Sequence, residues 1–225
     1  HGPMRPVTIN GGMVMRACYD IVTLDAEGRV DADGVRESTA ILEALIAREI
    51  ERGIPAQKIV IAGFSMGGAI AIHTALHTAH ELAGLMALST YLPLPGDVEG
   101  SGGSRDLPVF MAHGSFDPMV PMQWGRLSAQ KLEETGFNVE WRDYPMAHAV
   151  CALGQIGVVK GAHQADTSPV RPLADSHSRQ LPTKFFIIYT NEPPTHVAVT
   201  LVKGRIEGDQ GHLDAAKTVC HQRRT

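Results

Sequence analysis

The sequence predicts a doubly wound α/β fold with a mostly parallel β-sheet. Short runs of apolar residues alternate along the chain with helical patterns, and these runs lack the apolar–polar alternation of half-exposed strands. Strands and helices that take turns in this way form parallel sheets with helices on both faces. The predicted strands cover residues 58–63, 85–89, 107–112 and 138–144.

The helices that separate these strands have their own signals. In residues 35–50, apolar side chains recur at three- and four-residue steps with charged residues between them, which predicts an amphipathic helix. Asp33 is its expected N-cap, and Gly53 is expected to end it. Two further helices are predicted over residues 66–79 and 121–134.

Composition limits the classes of function. The 225-residue chain is 44% hydrophobic, 20% charged and carries a formal net charge of −4, so it has no excess of cations for a nucleic acid or an anionic membrane. No apolar run approaches the roughly 20 residues of a bilayer crossing, and no signal peptide is evident. Three scattered cysteines predict free thiols in the cytoplasm. None of the eleven histidines forms HExxH, and we predict no metal and no cofactor.

Two regions differ in pattern. We assign residues 1–151 to a catalytic α/β domain that begins with loops and a short hairpin, and residues 152–225 to a divergent C-terminal extension of uncertain structure. Within the extension, strands are predicted over 184–190 and 196–202, and a weak helix over 209–220.

The sharpest motif is Gly63-Phe-Ser-Met-Gly67, which lies between a predicted buried strand and a predicted helix. G-x-S-x-G in this setting is the nucleophile elbow of α/β-hydrolases, where a strained turn presents the serine hydroxyl. Ser65 is therefore the predicted nucleophile, and the backbone N–H of Met66 is a predicted oxyanion donor. The alternative is an ordinary Gly-Ser turn between strand and helix.

A serine hydroxyl needs a base and a group that orients the base. Asp117 and His148 each follow a predicted strand, in the Ser–acid–His order of this fold. Asp117 also fits a simple turn before Pro118, and Asp97 and Asp106 are rivals that precede the strand. His148 could be a surface-loop histidine. The histidines that follow the elbow are expected to face solvent: His73, His77 and His80.

Several runs together resemble the bacterial carboxylesterase / acyl-protein thioesterase family. They occur in family order over residues 1–151: Arg5-Pro-Val-Thr-Ile-Asn-Gly-Gly12, Tyr19-Asp-Ile21, Ala62-Gly-Phe-Ser-Met-Gly-Gly-Ala69, Leu88-Ser-Thr-Tyr-Leu-Pro93, His113-Gly with Asp117, and Tyr144-Pro-Met-Ala-His148. The resemblance implies a cytosolic serine hydrolase for short- to medium-chain esters, and in some members thioesters or lysophospholipids. It also implies the triad Ser65, Asp117 and His148, an acyl pocket lined by Leu92 and Pro93, no cofactor, and a possible homodimer.

Three departures from the family pattern give further expectations. The family's first strands and the loop that donates a second oxyanion N–H precede Arg5, so this chain is expected to lack them and to leave a sheet edge open. Cys18 stands where the family usually has Trp, which predicts looser packing near the pocket. The residues after Cys151 resemble nothing in the family.

Other functions remain open from the sequence alone. A catalytically impaired hydrolase fold could serve as a binding or interaction module. A serine peptidase or lipase could share the triad, although no propeller domain or long lid is evident. A dienelactone-hydrolase-like enzyme would have Cys at the position of Ser65.

Overall fold

A computed structural model describes residues 2–23 and 30–149 and the backbone of a strand at 185–189. The helices and strands follow one another in chain order: β1 (Met4–Val7), β2 (Met13–Arg16), α1 (Ala32–Glu51), β3 (Ile59–Phe64), α2 (Met66–His77), β4 (Gly84–Leu88), β5 (Pro108–Gly114), α3 (Met122–Glu134), β6 (Asn138–Tyr144) and β7 (Phe185–Tyr189). Strands β1 and β2 form the short antiparallel hairpin expected near the start of the chain.

The central sheet has the order β6-β5-β4-β3-β7. Strands β3, β4, β5 and β6 are parallel to one another, which confirms the mostly parallel sheet. All residues of β3 and β4 are buried, in accordance with their lack of apolar–polar alternation. Because parallel strands all end at one edge, the segments after β3, β5 and β6 meet there, and these segments carry Ser65, Asp117 and His148.

Strand β7 changes one expectation about the sheet. It confirms the strand predicted over residues 184–190, and it pairs antiparallel with β3, with Ile188 opposite Val60. The edge of β3 that we expected to be open is therefore covered by hydrogen bonds from the C-terminal extension. The strand predicted over 196–202 and the helix predicted over 209–220 lie outside the described residues.

The helix predictions hold, with differences at the ends. Helix α1 begins one turn earlier than its apolar pattern, and its N-cap is Asp31, whose side chain accepts a hydrogen bond of 2.9 Å from the Gly34 N–H. The prediction of Asp33 as N-cap was wrong, because Asp33 already lies in the first helical turn. Helix α2 ends at His77. Helix α1 ends at Glu51, shortly before Gly53, which was expected to end it and which has a φ of 92°.

Two apolar clusters cover the faces of the sheet. The larger one joins alternate strand residues such as Ile61, Ala87 and Met111 to helices α1, α2 and α3. The smaller one, on the opposite face, includes Val60 and Phe110. All three described helices thus pack on one face, and helices on the second face stay a prediction.

Two further observations concern membranes and thiols. Among the described helices, none has both the length and the apolar character needed to cross a bilayer. Cys18 is a free thiol and is fully buried, and burial raises its pKa to about 12. The other two cysteines lie outside the described residues.

Candidate active site

Ser65 lies on a strained turn between β3 and α2. Its φ is 56° and its ψ is −127°, a backbone conformation that side-chain-bearing residues rarely adopt. Two hydrogen bonds hold the turn: the Ser65 N–H donates to the Leu88 carbonyl (2.9 Å), and the Thr90 hydroxyl donates to the Ser65 carbonyl (2.7 Å). The last residue of β4 and the segment that follows this strand therefore hold the backbone of Ser65.

The glycines of the motif are needed because two backbone segments approach closely here. A Cβ on Gly63 would lie 2.1 Å from the Gly67 carbonyl oxygen, and a Cβ on Gly68 would lie 2.7 Å from Thr90 Cγ2. Real Cβ atoms essentially never come within 3.0 Å of such atoms. The strand and the helix can thus form this tight turn only when these positions have no side chain.

Asp117 and His148 are joined by a short hydrogen bond. The atoms His148 Nδ1 and Asp117 Oδ2 are 2.6 Å apart, and the Asp117 side chain is completely buried. A carboxylate only accepts, so His148 Nδ1 carries the proton and donates it, which leaves Nε2 of the neutral ring with its lone pair. The ring of Phe64 lies beside the His148 ring, with a distance of 4.6 Å between the ring centroids.

Asp117 is held in its ionised form. Burial alone would raise its pKa, but the contacts of His113 and His148 and the backbone N–H groups of Val120 and Met119 outweigh burial and hold the pKa of Asp117 well below its ordinary range. Both N–H groups donate to Oδ1 at 2.9 Å, and His113 Nε2 lies 3.5 Å from Oδ2. The buried carboxylate therefore keeps its negative charge facing His148.

Ser65 and His148 line one cavity of about 300 Å³. The described residues include no hydrogen bond between Ser65 Oγ and His148, and such bonds are often long until substrate binds. Met66, the first residue of α2, also lines the cavity, where the positive end of the helix dipole lies. The structure thus brings the three candidate residues to one edge of the sheet and two of them to one cavity.

The rest of the cavity lining is mostly apolar. Leu92 and Pro93, the pocket residues expected from the resemblance, are both part of it. Other lining residues were not predicted from the sequence, and Tyr91 and Trp124 are two of them. The Tyr91 hydroxyl lies 2.9 Å from the Tyr19 hydroxyl, and the Trp124 ring contacts the Tyr91 ring edge-on. Tyr19 and Tyr91 both lie in runs that resemble the family, and this position could have identified them as pocket residues. Trp124 lies in a helix without such a run, so its place in the cavity could not be predicted in this way.

The burial of two other histidines was not predicted from the sequence. His113, to which no role was assigned from the sequence, is buried against Asp117, and its position four residues before that aspartate was the available signal. His73 was expected to face solvent, but it is only 3% exposed because the small-residue helix α2 is buried on nearly all sides. Burial and, secondarily, the neighbouring His77 lower the pKa of His73 to about 4. The exposed position of His77 agrees with expectation.

Comparisons with known sequences agree with the motifs. The model of a family described as Phospholipase/Carboxylesterase matches residues 1–154. Acyl-protein thioesterase 1 of Neurospora crassa is 40% identical over 161 residues, which are 67% of this chain and 66% of that protein. Acyl-protein thioesterase 1 homolog 1 of Dictyostelium discoideum is 40% identical over 63% of each chain. The chain therefore spans about two thirds of the length of these curated relatives.

Solved structures extend the similarity to the fold. The crystal structure of SOBER1 from Arabidopsis thaliana superposes with a TM-score of 0.63 at 28% identity, over 67% of this chain and 74% of that one. Acyl-protein thioesterase 2 of Zea mays gives a TM-score of 0.59 at 27% identity, over 67% and 72% of the two chains. With a family match across residues 1–154, a parallel sheet and structural neighbours of the same fold, this chain has an α/β-hydrolase fold and belongs to the phospholipase/carboxylesterase family.

Proposed function

We propose that this chain is a serine hydrolase that cleaves carboxylic esters or thioesters through an acyl-enzyme on Ser65. The proposal rests on the hydrogen bond of 2.6 Å between Asp117 and His148. His148 lines the same cavity as Ser65, which lies on a strained turn. A hydroxyl, an imidazole and a carboxylate in this relation form the arrangement that activates a serine for acyl transfer.

In the acylation half of the reaction, His148 Nε2 accepts the proton of Ser65 Oγ as the oxygen attacks the substrate carbonyl carbon. The carbonyl oxygen becomes negatively charged beside the start of α2, where the Met66 N–H and the helix dipole stabilise it. When the intermediate collapses, the bond to the leaving alcohol or thiol breaks, and the protonated His148 gives the leaving group its proton.

In the second half, the roles repeat with water as the nucleophile. His148 takes a proton from water, the resulting hydroxide attacks the acyl carbon, and the proton returns to Ser65 Oγ as the acid leaves. Asp117 stays ionised throughout, because its accepted hydrogen bonds stabilise the carboxylate. Its charge keeps the His148 proton on Nδ1 and stabilises the imidazolium that forms twice in each cycle.

The cavity favours an apolar acyl chain of short to medium length. Its volume of about 300 Å³ is at the small end for ligand pockets, and its walls include Leu92, Val120 and Trp124. The names of the curated relatives add thioesters to the substrates worth testing. A homodimer and a cytoplasmic location stay predictions from the resemblance, and light scattering of the purified chain measures the first.

The test is labelling with a fluorophosphonate probe together with hydrolysis of p-nitrophenyl butyrate and a matched thioester. We expect the folded wild-type chain to react at Ser65 and to hydrolyse at least one substrate. Ser65→Ala is expected to lose both signals, whereas Ser104→Ala, which replaces an exposed serine, keeps them. A folded chain that neither reacts with the probe nor hydrolyses any ester would instead be a binding module of the same fold.

A further inference from the structure

A second group of chemically active side chains lies away from Ser65. His73 and His77 are four residues apart on α2, and Asp97 belongs to the 3-10 turn Pro95–Asp97. One ligand atom from each of the three lies within 4.8 Å of the others, and His73 Nε2 is 3.8 Å from Asp97 Oδ2. His73 is eight residues beyond Ser65, roughly 12 Å along the helix axis, so the cluster is separate from the proposed triad.

The hydrogen bonds of the two histidines leave the same ring atom available on each. His77 Nδ1 lies 2.8 Å from the His73 carbonyl oxygen, which can only accept, so Nδ1 carries the proton and Nε2 of the neutral ring has its lone pair. His73 Nδ1 lies 2.9 Å from Thr39 Oγ1, which also lies 2.9 Å from the Val35 carbonyl. The Thr39 hydroxyl donates its one proton to the Val35 carbonyl, so it accepts a hydrogen bond from His73 Nδ1. The ring proton of His73 is therefore on Nδ1, and Nε2 of the neutral ring keeps its lone pair.

His73 Nε2 is the independent observation that points to a ligand. Its side chain is 4% exposed, and the nitrogen is buried without a hydrogen-bond partner. Buried polar atoms in folded proteins nearly always have a partner, and the atom that faces this nitrogen is a carboxylate oxygen too distant for a hydrogen bond. A cation between the two would satisfy both groups.

The surrounding charges permit a cation here. Arg36 Nη2 lies 3.4 Å from Asp97 Oδ2, but Arg36 is largely exposed, and surface pairs of this kind are weak. Arg36 Nη1 also lies 3.9 Å from Asp33, so the guanidinium keeps an acidic neighbour when Asp97 turns toward a metal. A cation that binds Asp97 would therefore displace only a weak ion pair with Arg36.

We propose that His73, His77 and Asp97 form a binding site for a divalent transition metal, with Zn²⁺ as the ion that best suits two imidazoles and one carboxylate. Ligands at zinc distances of 2.0–2.1 Å in a tetrahedron are about 3.4 Å apart, so the cluster must contract from its present spread. The exposed ring of His77 and the surface turn of Asp97 can supply that movement. Water or an anion completes the four ligands.

Metal binding at this site would affect the substrate cavity through the loop that contains Asp97. Pro93 and Pro95 line the cavity, and Asp97 follows them within the same loop. A metal bound by Asp97 and by the two histidines of α2 would link this loop to the helix that begins directly after Ser65. We expect bound metal to raise the thermal stability of the protein and to act on KM more than on kcat.

The experiment is calorimetric titration of the metal-free, reduced full chain with Zn²⁺, supported by the absorption spectrum with Co²⁺ and by thermal melting. We expect His77→Ala and Asp97→Asn each to weaken the tightest zinc site at least about tenfold, because loss of even an outer-shell partner costs about 10–100-fold. Both positions are at the surface, so these variants should fold. His80→Ala, which removes a histidine three residues beyond His77 in the chain, is the matched control and should bind like wild type.

The other histidines and the cysteines of the chain can also take up zinc, so the comparison between variants decides the matter. Support would be a tight site with a tetrahedral Co²⁺ spectrum and a rise in Tm, both lost in His77→Ala and Asp97→Asn but kept in His80→Ala. Equal zinc binding by all four proteins would mean an adventitious ion elsewhere on the chain and would overturn the proposal. Binding only at millimolar zinc would overturn it as well.

Discussion

The substitution Gly63→Ala tests whether the close approach of β3 to α2 is required for activity. The added Cβ would lie 2.1 Å from the Gly67 carbonyl oxygen. Real Cβ contacts essentially never fall below 3.0 Å, so the two segments would have to move apart by at least about 0.9 Å. Such overpacking costs about 1–3 kcal/mol of stability. Because Ser65 lies between the two segments, it would move by a similar distance, and a misplacement of about 1 Å can reduce catalysis about 100-fold.

The assay is kcat/KM on p-nitrophenyl butyrate, measured beside urea unfolding of the same preparation. The control is Gly102→Ala, which adds the same methyl group at an exposed glycine where nothing lies within 4 Å of the new atom. We expect the control to retain wild-type activity and stability. Wild-type activity in a folded Gly63→Ala protein would refute the reasoning, since the turn would then not depend on the missing side chain.

Three further predictions concern the acid and the sheet edge. Asp117→Asn should lower kcat about 10⁴-fold in steady-state kinetics while far-UV circular dichroism stays unchanged, because the imidazole loses its orienting charge; a loss under tenfold would contradict that role. The pKa of Asp117 is lower in the folded chain than the unfolded value of about 3.9. The ionised carboxylate therefore adds to the free energy of unfolding above about pH 5, and this contribution is lost as the pH falls below 4. In urea unfolding, the difference in free energy of unfolding between wild type and Asp117→Asn should therefore decrease from pH 6 to pH 3. A difference that stays constant over this range would contradict the prediction. A chain that ends at residue 154 lacks β7 and exposes the edge of β3, so its Tm should fall and light scattering should show more aggregation, and an unchanged Tm would argue against the β3–β7 pairing.

The sheet and helices could be predicted from sequence because their signals are local. Strand β3 has a continuous apolar run and α1 has a clear helical period, so each matches its prediction to within a few residues. The N-cap of α1 could not be assigned in this way, because Asp31 and Asp33 are both acceptable caps and only the backbone direction before the helix decides between them.

The site could be predicted where a motif fixes a position in the fold. Ser65, Asp117 and His148 follow three parallel strands, and the geometry of such a sheet brings strand ends together. The burial of His73 could not be predicted, because a helix rich in small residues has no polar stripe that marks a solvent face. Strand β7 was predicted as an element, but its pairing with β3 depends on contacts about 125 residues apart in the chain, which no local pattern encodes.

The most direct test of the proposed mechanism is to trap the acyl-enzyme. The chain is mixed with a p-nitrophenyl ester, quenched within milliseconds, and examined by intact-protein and peptide mass spectrometry. The mechanism predicts one acyl group per chain, on the peptide that contains Ser65, formed at the rate of the initial p-nitrophenol burst and absent from His148→Gln. Steady ester hydrolysis by a protein that never carries an acyl group, or acylation at another residue with Ser65 unmodified, would contradict it.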